Sequence, residues 1–181
     1  MKKFYILDMD GTLCDSMGYW RAESAHITNF EDRALVEPVY EKMRVHYAER
    51  VQLKAGVREF LEKARAAGIK MCIATGTRRD VSEPFLQKSG LLDYVEFYSD
   101  CYEVCAFKDK PDIYLRAAER LGADISECAV FEDSEYCAET AHNAGFFVVG
   151  VFDKVTSKEG DIRRFSDLYT EDWEKLSPEM I

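Results

Sequence analysis

Four short stretches of this chain carry residues that could act together on one ligand. Asp8-Met9-Asp10-Gly11-Thr12 sets two carboxylates two residues apart. In an extended strand that spacing turns both acids to one side, and Gly11 would let the backbone turn sharply away. Thr75-Gly76-Thr77 offers a hydroxyl and free backbone amides suited to phosphate oxygens. Lys108-Asp109-Lys110-Pro111-Asp112 brings a cation near a helix start, and Glu132-Asp133-Ser134 is a second acidic pair. Each stretch alone has a plain structural explanation: an Asp-Gly turn, a turn hydroxyl, a solvated lysine, a helix cap. Their common placement, each at the loop end of a strand-like run, is what joins them.

The runs are Phe4 to Leu7, Ile69 to Ala74, Val95 to Tyr98, Cys128 to Phe131 and Phe146 to Phe152, short and mainly apolar. Such runs, bounded by Asp, Gly or Ser, read as buried parallel strands. Between them lie helical patterns. Val57, Phe60, Leu61 and Ala64 repeat at helical spacing before Gly68, and Tyr114, Ala117, Ala118 and Leu121 do so before Gly122. Glycine accepts the left-handed conformation that ends such helices, Pro111 suits a first turn, and Ser134 can cap a further helix ending near Gly145. Alternating strands and helices predict an α/β fold with a doubly wound, mainly parallel sheet, whose ligands bind at the carboxyl ends of the strands. Residues 16–52 break the alternation. Val36, Val39, Tyr40, Met43 and Tyr47 mark a helix face there, and Tyr19, Trp20, Ile27 and Phe30 mark a partner helix, so a small inserted helical cap is expected. The expected division is a core of residues 1–15 and 53–181 with a cap of 16–52. The polar tail, with its apolar cluster Phe165, Leu168, Tyr169 and Trp173, says little about chemistry.

Bulk properties narrow the partners. Thirty-four acids against 24 bases give a net charge of −10 over 181 residues, which repels nucleic-acid backbones and anionic lipid surfaces. An anionic substrate must then be drawn in by a local arrangement such as a bound cation. No apolar run approaches bilayer length, and the N-terminal run stops at Asp8, so neither a membrane span nor an export signal is expected. Six scattered cysteines, without a Cys-x-x-Cys pair, read as reduced, buried thiols of a cytoplasmic protein.

In the order acid pair, threonine, lysine, acid pair, these stretches resemble the four motifs of the haloacid dehalogenase superfamily. Gly56-Val57-Arg58-Glu59-Phe60-Leu61 and Ala144-Gly145 extend the likeness across nearly the whole catalytic domain. The cap lying between the first two motifs resembles the C1 type of the phosphoglycolate phosphatase and β-phosphoglucomutase branch. The resemblance implies an Mg²⁺-dependent phosphatase acting on a small phosphorylated metabolite, as a monomer or homodimer. Asp8 would be the nucleophile and Asp10 the general acid and base, the latter also offering its backbone carbonyl to the metal. Asp8 and Asp133 would supply carboxylates to Mg²⁺, with Glu132 a further candidate ligand. Lys110, preferred to Lys108 because Pro111 follows it directly, would pair with Asp8 and the phosphoryl oxygens, and Thr75 with the Gly76 amide would hold another oxygen. Three departures stand out: Thr77 follows Gly76 where the pattern often has serine or asparagine beside the threonine, Cys137 stands where many relatives have glycine, and the cap is short.

Tyr19, Trp20, Arg21, His26, Arg44, His46 and Arg50 in the cap, with Arg78 and Arg79 past the second motif, are placed to choose the leaving group. Aromatic packing and helix solvation account for each of them more readily. A dehalogenase would need no acid at Asp10, and a phosphonatase would need a cap lysine, for which Lys42 alone is present. A sugar phosphomutase and a non-catalytic Mg²⁺ or phosphate-binding module are the alternatives. A phosphate-receiver domain would carry its acceptor aspartate on a later strand and have no insertion after the first.

Overall fold

The computed structural model describes residues 1–29, 32–158 and 160–181; Phe30, expected on the partner helix, lies outside the described residues. The six strands β1 (Phe4–Leu7), β2 (Lys70–Thr75), β3 (Phe97–Asp100), β4 (Cys128–Glu132), β5 (Phe147–Val151) and β6 (Leu168–Thr170) form one sheet in the order β3-β2-β1-β4-β5-β6. Every pairing is parallel. The chain winds outward from β1 to β2 and β3, then returns to β4 on the other side. β1 and β4 therefore flank the point where the winding reverses, and their carboxyl ends open a crevice there.

Burial on both faces explains why these strands are nearly continuous apolar runs. Pleating sends Tyr5 and Leu7 into one hydrophobic cluster and Ile6 into the other, and β4 divides likewise, with Ala129 and Phe131 on one side and Cys128 and Val130 on the other. Helix α3 (Val57–Ala66) covers the first face with Val57, Phe60, Leu61 and Ala64, the four positions its spacing marked. Helix α5 (Asp112–Leu121) covers the second with Ile113, Tyr114, Ala117, Ala118 and Leu121. Gly68 and Gly122 take positive φ at the ends of these helices. Helix α6 (Glu135–Asn143) follows β4, but Ser134 makes no side-chain cap bond there.

Helix α4 (Arg79–Ser89) was not evident in the sequence, where Pro84 interrupts the pattern. It nonetheless buries Val81, Phe85 and Leu86, and the Asp100 side chain accepts from the Arg79 amide at its start. Strand β3 begins two residues later and ends two residues later than its apolar run, because Ser99 and Asp100 are buried polar strand residues.

Between β1 and α3 stand helices α1 (Met17–Ser24) and α2 (Arg33–Glu49). Helix α1 has no fully buried residue, whereas α2 buries Val36, Val39, Met43, His46 and Tyr47. Val39, Met43 and Tyr47 join the same cluster as the sheet, with the Tyr47 and Phe85 rings 6.0 Å apart. Through these side chains the helical insertion, among the described residues, shares the core of the sheet.

The C-terminal segment does more than its composition suggests. It adds β6 to the sheet edge and sends Trp173 inward, 5.6 Å from Phe131 and nearly parallel to it. All six cysteines are free; five are buried, while Cys105 is exposed and takes a φ of 54°. Among the described residues no helix is long and apolar enough to cross a membrane.

Candidate active site

Asp8 and Asp10 follow β1, Glu132 ends β4 and Asp133 follows it, so the parallel register alone brings the two acid pairs side by side. Leu7 pairs with Phe131, and the Asp8 amide donates to the Phe131 carbonyl at 3.0 Å. Asp8, Glu132 and Asp133 each place a carboxylate oxygen within 4.8 Å of the others, and all three are buried. Among the described residues, Asp8 Oδ2 and Asp133 Oδ2 have no hydrogen-bond partner. Clustered, buried carboxylate oxygens with unsatisfied lone pairs fit a hard divalent cation such as Mg²⁺. Burial, then Asp8 and Glu132, push the Asp133 carboxyl well above its ordinary pKa, the repulsion that such a cation would relieve.

Gly11 makes the approach possible. Its φ is 81°, and a Cβ there would collide with Asp133 Oδ2. Thr12 donates to Asp133 Oδ1 at 3.3 Å and Thr156 to its backbone carbonyl at 3.1 Å. Lys54 reaches the Gly11 and Phe152 carbonyls, and Trp173 Nε1 donates to the Thr12 carbonyl at 3.3 Å. The sharp turn after Asp10 is therefore held from three directions.

The lysine facing Asp8 is Lys108, and the expectation for Lys110 is corrected. Lys108 is 4% exposed and donates to Asp8 Oδ1 and, at 2.7 Å, to Glu132 Oε1. Lys110 is exposed. The tight turn that closes with the Lys110 amide donating to the Phe107 carbonyl directs Lys108 inward and leaves Lys110 outside. Burial pulls the Lys108 pKa down, but Asp8 and Glu132 outweigh it and hold the ammonium charged. Glu132 also accepts from the Tyr114 hydroxyl at 2.7 Å, so one of its oxygens is committed to two donors. Burial raises its pKa, against the pull of Lys108.

Asp10 occupies a different environment from Asp8. It accepts from Ser16 at 2.6 Å, Thr77 at 2.7 Å and the Tyr47 hydroxyl, with Thr75 at 3.4 Å. Burial and then the Asp8 charge push its pKa up, and the Ser16, Tyr47 and Thr77 bonds oppose that shift in part. Tyr47 is itself held by Trp20 Nε1 at 2.9 Å, so two cap helices reach the acid through one hydroxyl. Thr75 is fully buried, and its hydroxyl accepts from the Thr77 amide at 3.0 Å. Gly76 and Thr77 line the cavity above the acids, whereas Thr75 does not. Apolar spacing places Tyr47 on the buried stripe of α2 without showing that its hydroxyl meets Asp10, and nothing in the sequence marks Ser16; Thr77 lies in the second motif beside the two residues expected to bind phosphate.

The cavity encloses about 440 Å³ between the acid cluster and the inserted helices. Of the cap and entrance residues considered for the leaving group, Trp20 lines it. Tyr19 instead stacks on His46 at 4.5 Å, and His46 Nε2 meets Glu23 at 3.0 Å. Arg44 and Arg78 both bind Glu37 and Asp80, and Arg79 pairs with Glu103. Lys42 is exposed and pairs with Glu23 at 2.8 Å, away from the acids a phosphonatase lysine would have to face.

An all-parallel, doubly wound sheet with paired acids at its reversal point and helices inserted after the first strand defines a class of α/β hydrolase. The chain belongs to the haloacid dehalogenase-like hydrolase family, which matches residues 18–145. It is 36% identical over 104 residues to protein CbbY of Rhodobacter capsulatus, covering 55% of this chain and 45% of that protein. It is 32% identical over 119 residues to a phosphorylated carbohydrates phosphatase of Thermotoga maritima, covering 66% and 53% respectively. The matched stretch thus spans about half the length of these relatives. The fold is similar to that of CbbY from Rhodobacter sphaeroides in complex with phosphate, with a TM-score of 0.82 at 19% identity, over 97% of this chain and 96% of the other.

Proposed function

We propose that the chain is a Mg²⁺-dependent phosphatase that hydrolyses a small phosphomonoester through an aspartyl-phosphate on Asp8. The observation that carries this reading is the unequal state of the Asp8 oxygens: Oδ1 faces the Lys108 ammonium, while Oδ2 is buried and, like Asp133 Oδ2, has no partner among the described residues, in a cluster whose carboxylates come within 4.8 Å of one another. Asp8 and Asp133 would hold the ion, with the Asp10 carbonyl and Glu132 as further candidate ligands. When bound, Mg²⁺ offsets the repulsion between the acid cluster and a phosphate dianion.

In the first displacement a carboxylate oxygen of Asp8 attacks phosphorus, and the bond from phosphorus to the ester oxygen breaks. Asp10 gives its proton to the departing alkoxide, a task its raised pKa suits. In the second, Asp10 takes a proton from water as that water attacks the acyl phosphate, releasing inorganic phosphate and restoring Asp8. Lys108 stabilises charge on Asp8 and the phosphoryl oxygens, and Glu132 with Tyr114 positions it. The Gly76 and Thr77 lining supports a phosphate cradle there, with Thr75 anchoring the loop through the Thr77 amide.

Phosphate release measured with Mg²⁺, with EDTA and in Asp8→Asn tests this reading. Turnover should require Mg²⁺ and vanish in Asp8→Asn, and a hydroxylamine-sensitive phosphoprotein should form in the wild type alone. Equal turnover in folded Asp8→Asn would remove the assigned nucleophile. A phosphomutase acting on bisphosphate intermediates would need cations for a second phosphate. Among the described residues Lys108 is the one lysine, arginine or histidine lining the cavity, which favours hydrolysis.

A further inference from the structure

The cavity over the acids has two chemically different halves. Its floor is polar, built from the ends of β1 and β4 and the turn after β2. Its remaining wall is mainly apolar: Trp20, Val36 and Val39 come from the inserted helices, Tyr102 and Phe107 from the loop after β3, and Tyr136 from the first turn of α6. The last three are large aromatic side chains left 43%, 61% and 60% exposed, yet all converge on this cavity. The Tyr102 and Phe107 rings already meet edge to face at 5.8 Å. Exposed aromatic surface gathered in a concave, ligand-sized space is surface that a ligand, and not the core, is shaped to cover.

Several polar groups of the lining are already engaged, Thr77 by Asp10 and Thr156 by the Asp133 carbonyl, so the side chains left to read a sugar are few. The Tyr40 and Tyr102 hydroxyls bond each other at 2.8 Å, joining the cap to the loop after β3. Lys108, the single cation in the lining among the described residues, is enclosed by Asp8 and Glu132. Arg44 and Arg78 do not line the cavity and are engaged by Glu37 and Asp80. A hydroxyl-rich or doubly phosphorylated leaving group would meet few polar partners and, among the described residues, no second cation, and would lose much of its hydration uncompensated.

We propose that the site takes single-phosphate esters of an aryl-bearing alcohol, with the aromatic group of the leaving alcohol lying against Phe107 and Tyr136. The inference rests on the phosphatase reading of the acid cluster and adds the leaving group to it.

The test compares 2-phenylethyl phosphate with ethyl phosphate, which share a primary alkoxide leaving group and differ in the ring, alongside glycerol phosphate and a hexose bisphosphate. Burial of one aromatic ring predicts a kcat/KM for the phenylethyl ester about 100-fold above that for the ethyl ester. The sugar esters should fall with or below ethyl phosphate. In parallel, calorimetry on the Mg²⁺-loaded protein measures 2-phenylethylphosphonate against ethylphosphonate, with a similar ratio of Kd expected. Phe107→Ala and Tyr136→Ala, both exposed positions, should each shrink these ratios by roughly tenfold. Equal turnover and binding of the phenylethyl and ethyl compounds, preference for the hexose bisphosphate, or ratios unmoved by both substitutions would each overturn the inference and leave the phosphatase reading standing. Selective phosphonate binding without turnover of any ester would do the reverse.

Discussion

Lys108 is a buried cation between two buried carboxylates, and the consequences of removing it follow from that placement. Lys108→Met leaves Asp8 and Glu132 facing each other without a counter-charge and should lower kcat by roughly 10²- to 10³-fold. Lys110→Ala, at an exposed position, should leave kcat/KM within about twofold of wild type. Parallel phosphate-release assays distinguish the two lysines, and equal losses would refute the geometric assignment. Gly11→Ala adds a Cβ in a left-handed conformation directly against Asp133. It should cost about 1–2 kcal/mol from backbone strain alone and abolish Mg²⁺ affinity through the displaced carboxylate, as read by denaturation and metal titration. At this scale the sequence was legible for the acids, since Asp8, Asp10 and Asp133 sit at strand ends that periodicity locates. The lysine was not, because a helix-start signal finds the loop but says nothing of which residue the preceding turn directs inward.

Helix α2 ties the insertion to the sheet through the Tyr47 hydroxyl on Asp10 and through ion pairs with α4 and its start. Tyr47→Phe keeps the packed ring and removes one donor from a buried carboxyl. It should shift the pH profile of kcat to higher pH, because that hydrogen bond lowers the Asp10 pKa; an unmoved profile would separate Tyr47 from the acid's titration. In the ion-pair cluster, hydrogen bonding from Arg78 and then Arg44 draws the Glu37 carboxyl from 4.5 down to about 2. The folded value lies below the unfolded one. Its stabilising contribution is therefore complete above about pH 4.5 and is lost as pH falls toward 2. Solvent screening keeps that contribution small, so the check is local: in Arg78→Met the Glu37 carboxyl midpoint, followed by NMR, should climb back toward 4.5. The α2 stripe was visible in its apolar spacing, while α4, interrupted by Pro84, emerges only from packing.

Taken whole, the molecule puts an anionic cluster at the reversal point of its sheet and braces it with a tail remote in sequence. Saturating Mg²⁺ should raise the thermal midpoint, by the equivalent of about 2.7 kcal/mol at a hundredfold excess over Kd, and Asp133→Asn should erase the gain. An unchanged midpoint on adding Mg²⁺ would argue against the buried metal site. Trp173→Ala removes a ring packed on Phe131 and Phe60 and a donor to the Thr12 carbonyl. It should cost about 3–5 kcal/mol in denaturant unfolding. A loss below that range would show that the tail is not integral to the core.

The sequence by itself determined the α/β alternation, the insertion after the first strand and the acid pairs, because apolar periodicity and strand-end chemistry are local properties of the chain. Tertiary structure decided which lysine meets Asp8, that Tyr47 and Thr77 hold Asp10, and that aromatic rings from both sides converge over the acids. Those outcomes depend on which way a turn points and which helices meet across a sheet edge. Neither is encoded in any single window of residues.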